Sequence, residues 1–130
     1  MSDSFDIRAQ LADLSLLADG WFGGNHGRQL SKSGIERLIN SWEQFCPSDL
    51  QTPFLYVTIE GNIRSEWCLG ALEISLEINL NEFTGCCHVT DSAACTKKQD
   101  KEEFIFDFKN DHDWVKLFRG LRRCLLLNSL

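Results

Sequence analysis

The clearest pattern along the chain is a strict two-residue alternation over residues 71–80. Leu72, Ile74, Leu76, Ile78 and Leu80 fall on one side, and Glu73, Ser75, Glu77 and Asn79 on the other. Successive side chains of a strand point to opposite faces, so this segment reads as a strand with one buried and one solvated face. Further strand signals surround it. Phe54–Ile59 is rich in aromatic and β-branched residues. Glu60-Gly61-Asn62 has turn composition, which predicts that Ile63–Cys68 returns as the second strand of a hairpin. Leu69-Gly70 and Asn81-Glu82 read as two more turns, leaving Phe83–Asp91 as a fourth strand. Ser92–Glu102 is small, polar and charged, and is expected as a loop. Glu103–Phe108 alternates again, with Phe104, Phe106 and Phe108 on one side.

Three segments have helical spacing instead. Ile7, Leu11, Leu14 and Leu17 recur over Phe5–Ala18, with Ser4 or Asp3 placed to cap the start. Ile35, Leu38, Ile39, Trp42 and Phe45 form an apolar stripe over Ser33–Phe45. Ser33 and Glu36 have capping-box spacing, and Pro47 ends the segment. Trp114, Leu117, Phe118, Leu121 and Leu125 make a closing stripe behind Asn110 or Asp111 as cap. The predicted order is α-α-β-β-β-β-β-α. Sequential hairpins favour an antiparallel meander, and the helices are available to cover its apolar face. The expectation is a single α+β domain over residues 1–130, in two layers, with about five strands and one sheet face open to water.

Composition narrows the function classes. At 130 residues and 43% hydrophobic, the chain can bury one core. No apolar run approaches the roughly 18 residues of a membrane-spanning helix. MSDSFDIRAQ lacks a basic stretch followed by an apolar one, so a secretory signal is not expected and the cytosol is the expected compartment. A net charge of −6 disfavours general nucleic-acid binding. That charge is uneven. Residues 51–96 hold six acids and one base, whereas residues 97–130 hold six acids and eight bases. By alternation, Glu66, Glu73 and Glu77 share the solvated sheet face. Such a row ordinarily serves solubility and blocks sheet stacking. It also suits a basic protein partner, or mimicry of a nucleic acid. Lys116, Arg119, Arg122 and Arg123, with Lys97, Lys98 and Lys101, give the tail its local excess of positive charge. They are the place for a nucleic-acid contact within a larger complex.

Candidate chemistry is sparse. Six cysteines in a reducing compartment read as thiols rather than bridges. Cys86-Cys87-His88, with Asp91 and Cys95 nearby, holds zinc-ligand residue types, and on a strand Cys86 and His88 share a face while Cys87 points away. No Cys-x-x-Cys pair occurs, so half-buried thiols are expected, with no metal and no cofactor. A thiol nucleophile needs a nearby base, and His26, His88 and His112 are the imidazoles on offer. Neither a phosphate-binding loop, a nucleophile elbow nor a zinc-protease motif is present, so an enzyme is not expected. Glu102-Glu103 reads as part of a loop or a strand edge, and Asp111 with Asp113 as helix capping. The glycine-rich loop Trp21–Gly27, followed by Arg28 and Lys32, offers amides to an anion, yet no strand precedes it. It reads as a glycine-shaped connector whose Trp21 and Phe22 plug the core edge or meet a partner. Trp67, mid-strand, reads as a core residue, with a binding hot spot as the alternative if that face is open.

The segments Gly20-Trp21-Phe22-Gly23-Gly24-Asn25-His26-Gly27, Ser31–Leu38, Ile59–Trp67 and Leu72–Ile78 resemble a family of small uncharacterised bacterial proteins. Its members carry a Gly-Trp-x-Gly-x-Gly loop, a helix, an Asp-Gly-x-Ile-x-x-Glu-Trp strand and a Leu-Glu-Ile-Glu-Ile strand. The likeness covers residues 20–80. This chain departs from it with Glu60-Gly61 in place of Asp-Gly, and with Phe-Gly-Gly in the loop. The resemblance implies a bacterial or phage origin and a small α+β domain, with no assigned activity. It also suggests that the loop tryptophan packs against the strand tryptophan. The expected function is a non-enzymatic interaction module binding a basic protein, like an immunity protein, antitoxin, inhibitor or accessory subunit. The alternatives are Cys/His metal-binding or thiol chemistry, and nucleic-acid contact through the basic tail.

Overall fold

The computed structural model describes residues 6–23, 26–91 and 101–128. Its elements are α1 (Ile7–Leu14), α2 (Lys32–Phe45), β1 (Phe54–Val57), β2 (Ile63–Leu69), β3 (Leu72–Asn79), β4 (Thr84–Asp91), β5 (Lys101–Asp107) and α3 (Asp111–Asn128). Among the described residues the expected order and class hold: three helices and one antiparallel sheet, with strands in the order β1-β2-β3-β4-β5.

Several boundaries differ from the sequence expectation, each for a local reason. Asp6 caps α1 by accepting from the Arg8 amide at 2.8 Å, and α1 ends at Leu14. There the Ser15 hydroxyl donates to the Ala12 carbonyl at 2.7 Å, an alternative to continued helix. The predicted caps Ser4 and Asp3 lie outside the described residues. Ser31, not Ser33, caps α2. Its extended backbone brings Oγ within 3.1 Å of the Gly34 amide, which donates to it. Asn110 Oδ1 accepts from the His112 amide at 3.1 Å, so Asn110 opens α3. Asp113 instead accepts from the Asp107 amide, tying α3 to the end of β5. Phe83 is not a strand residue: its φ is +56°, at the close of a turn in which Asn79 Oδ1 accepts from the amides of Asn81 and Glu82. Lys101 and Glu102, expected in a loop, open β5.

The core lies between the helices and one sheet face. Ile63, Trp67, Ile74, Leu76, Ile78, Cys87 and Phe106 are buried beneath Leu38, Trp42, Trp114, Leu117 and Phe118. Trp42 stacks on Trp67, and Phe108 on Trp114 with centroids 4.1 Å apart. The indole N–H groups of Trp67 and Trp114 find carbonyl acceptors: Trp67 donates to Gln51 at 2.9 Å and Trp114 to Phe108 at 3.1 Å. This satisfies the polar handle that makes a buried tryptophan costly otherwise. Trp67 is thus a core residue, but its partner is Trp42 of α2 and not Trp21. Among the described residues, no helix is long and apolar enough to cross a membrane.

Candidate functional site

The helices leave the second sheet face uncovered among the described residues, and alternation decides what stands there. The antiparallel register aligns Tyr56, Arg64, Glu77, Cys86 and Ile105 in one row across all five strands. The neighbouring row is Phe54, Glu66, Ser75, His88 and Glu103. Glu73 lies in the next, between Cys68 and Thr90. Glu66, Glu73 and Glu77 therefore do share this face, as the alternation predicted. Glu103 joins them, and Arg64 sits in their midst with its Nε 4.0 Å from Glu66. The Arg64 Nε also donates to Ser75 Oγ at 3.0 Å, and the Asn62 amide donates to Glu77 at 3.0 Å.

Three large apolar side chains stand on the same face. Phe54 and Tyr56 of edge strand β1 are 56% and 47% exposed, and Ile105 of the opposite edge strand β5 is 77% exposed. The sequence expectation missed all three as surface features. Their signal was present as the outward positions of the alternation, but aromatic and β-branched residues read first as strand formers.

At the β4–β5 side of the face, Cys86 Sγ lies 3.5 Å from His88 Nε2, and His88 Nδ1 lies 3.6 Å from a Glu103 oxygen. Desolvation pushes the Cys86 thiol up, and the negative Glu103 and Glu77 add to it. A cavity of about 400 Å³ opens beside this cluster, lined by Asn62, Arg64, Glu77, Asn79, Cys86 and His88 among others. Cys87 faces the core, as expected, and burial pushes its thiol up to about 12. Cys95 lies outside the described residues. Among the described residues, Glu103 joins Cys86 and His88 through the pairing His88↔Glu103. Cys46, Cys68, Cys86 and Cys87 are unbridged thiols.

The other candidates are dispersed. Lys116, Arg119 and Arg123 are exposed on α3 at spacing that places them on one side, whereas Arg122 pairs with Asp49 at 3.2 Å. Lys97 and Lys98 lie outside the described residues. The Trp21 loop is a small closed unit, in which Phe22 and His26 exchange backbone hydrogen bonds and Gly20 donates to Gly27 at 2.8 Å. Trp21 lies over Gly27, where a Cβ would come within 2.6 Å of the indole, and φ there is +96°. Phe22 is 53% exposed and plugs nothing, contrary to expectation. The loop is docked on the β1–β2 turn, since the Arg28 amide donates to Ile59 at 2.9 Å. No protein-family model, no curated protein and no solved structure matches the chain.

Proposed function

We propose that this chain is a non-enzymatic interaction module that binds a basic protein through its uncovered sheet face, in the bacterial or phage cytoplasm. Its mode is that of an immunity protein, antitoxin, inhibitor or accessory subunit. One observation carries the reading: Glu66, Glu73, Glu77 and Glu103 share a face with the exposed Phe54, Tyr56 and Ile105. Solubility alone accounts for the carboxylates and not for three large apolar groups left in water beside them. Interfaces combine the two, with aromatic anchors supplying area and charge supplying steering and partner choice. Trp21 and Phe22, on the loop beside the β1–β2 turn, extend the contact in this reading.

The test is capture from a host lysate with three tagged chains: the natural one, a Glu73→Lys/Glu77→Lys variant, and a Glu36→Lys control at an exposed position of α2. A partner retained by the natural chain and the control, lost by the sheet-face variant and released by salt, supports the proposal. Retention by all three chains at high salt overturns it. The second reading is an accessory nucleic-acid contact through Lys116, Arg119 and Arg123, supported by their shared side of α3. Low-salt gel shift in which Arg119→Glu and wild type behave alike sinks that reading.

A further inference from the structure

We propose that Cys86, His88 and Glu103 form a binding site for a zinc-type divalent transition-metal ion on the open sheet face. The first support is spacing. One donor atom from each of the three residues lies within 4.8 Å of the other two. The Cys86 Sγ to His88 Nε2 distance of 3.5 Å matches the separation of about 3.5 Å that Zn–S near 2.3 Å and Zn–N near 2.0 Å give in a tetrahedron. The second support is donor type. Thiolate and imidazole select zinc and its neighbours, and exclude the hard cations that need an all-oxygen shell.

The third support is an unmet demand. His88 Nδ1 is buried and has no hydrogen-bond partner among the described residues. An orphaned ring nitrogen in that position costs free energy. His88 Nε2 faces Cys86, and a Glu103 oxygen lies 3.6 Å from Nδ1, so the carboxylate that completes the donor set also stands against this ring. Binding replaces the S–H bond by an S–metal bond and releases one proton to solvent.

The scaffold also suits a site. Cys86 and His88 stand two apart on β4, which is paired on both sides, and the β4–β5 register sets Glu103 opposite His88. Donors on paired strands are held more firmly than donors on loops. This explains how the site forms without the Cys-x-x-Cys spacing. Strand alternation brings i and i+2 together, and a neighbouring strand supplies the third ligand. Three protein donors leave a fourth position facing solvent, the arrangement of an open site.

The site shares Glu103 with the proposed interaction face, but metal binding needs no partner and is measured on the isolated chain. Reduced, metal-free protein is titrated with Co²⁺ as spectroscopic probe and with Zn²⁺ against a chromogenic chelator. The expected result is one equivalent bound, with a thiolate-to-cobalt charge-transfer band. Cys86→Ser abolishes the band, and His88→Gln and Glu103→Gln each weaken affinity tenfold or more. Cys68→Ser, an exposed thiol on the same face, changes neither. Circular dichroism confirms that each variant is folded. No band in the natural chain, a band that survives Cys86→Ser, or unchanged affinity in Glu103→Gln overturns the site.

Discussion

Trp42 of α2 and Trp67 of β2 lie face to face, with ring centroids 5.8 Å apart and planes 5° from parallel. This contact joins the helical layer to the middle of the sheet, and Trp67 is 1% exposed. Trp67→Ala removes the stack, the buried area and the hydrogen bond to Gln51. It is expected to cost about 3–5 kcal/mol, read from chemical denaturation. Trp67→Phe keeps a ring and loses the N–H donor, so it should cost clearly less. Equal losses in the two variants would place the energy in the hydrogen bond and not in the stack.

Gly85 of β4 lies against the Phe108 ring, which a Cβ at this position would overlap. Gly85→Ala is expected to destabilise by about 1–3 kcal/mol through overpacking. Phe108→Leu alone also destabilises. The double variant should be more stable than the sum of the single losses implies, because the smaller side chain admits the methyl group. Strict additivity counts against this contact as the cause.

Ser65 of β2 is fully buried, and its hydroxyl has no hydrogen-bond partner among the described residues. Its cross-strand neighbours are Leu55 and Leu76. An unpaired buried hydroxyl carries a desolvation penalty with no return. Ser65→Ala should therefore raise stability by about 1 kcal/mol, seen as a higher thermal midpoint. A loss of similar size would show that the hydroxyl is satisfied in solution.

The two hydroxyls at the start of α2 separate by role. Ser31→Ala removes the acceptor for the Gly34 amide and should cost about 1 kcal/mol. Ser33→Ala, one residue inside the helix, should cost no more than a few tenths of that figure. The reverse ranking in denaturant midpoints would restore Ser33 as the cap.

Burial pushes the thiols of Cys46 and Cys87 up to about 11 and about 12. A thiol raised in the folded state deprotonates first in the unfolded chain. Stability is then complete below the ordinary thiol range and falls as pH rises through it, toward about 11 for Cys46 and about 12 for Cys87. At pH 8, Ellman's reagent should modify exposed Cys68 quickly, and Cys46 and Cys87 only on unfolding. Simultaneous labelling of all three in the native protein would contradict that order.

Element type was largely legible in the chain, because alternation over Leu72–Leu80 and the stripe from Ile35 to Trp42 are local signals of burial. Details set by one atom were not. Ser31 and Ser33 are equivalent as letters, and the entry angle of the chain chose between them. The positive φ of Phe83 came from a side-chain-capped turn followed by deep burial, which a strand-forming residue type does not announce. In place of the expected Trp21–Trp67 contact, Trp21 closes on its own loop, over Gly27 with its N–H on the Arg28 carbonyl, and α2 supplies the indole that stacks on Trp67. Along the chain, the sequence determined the α+β order, the antiparallel meander and the outward row Glu66, Glu73 and Glu77, since each follows from a period of two or of about 3.6 residues. Tertiary structure alone placed Glu103 beside Cys86 and His88, and Phe54, Tyr56 and Ile105 at the two ends of the same face. Those juxtapositions depend on strand register, which is fixed by the packing of one whole sheet face against the helices and leaves no mark in local spacing.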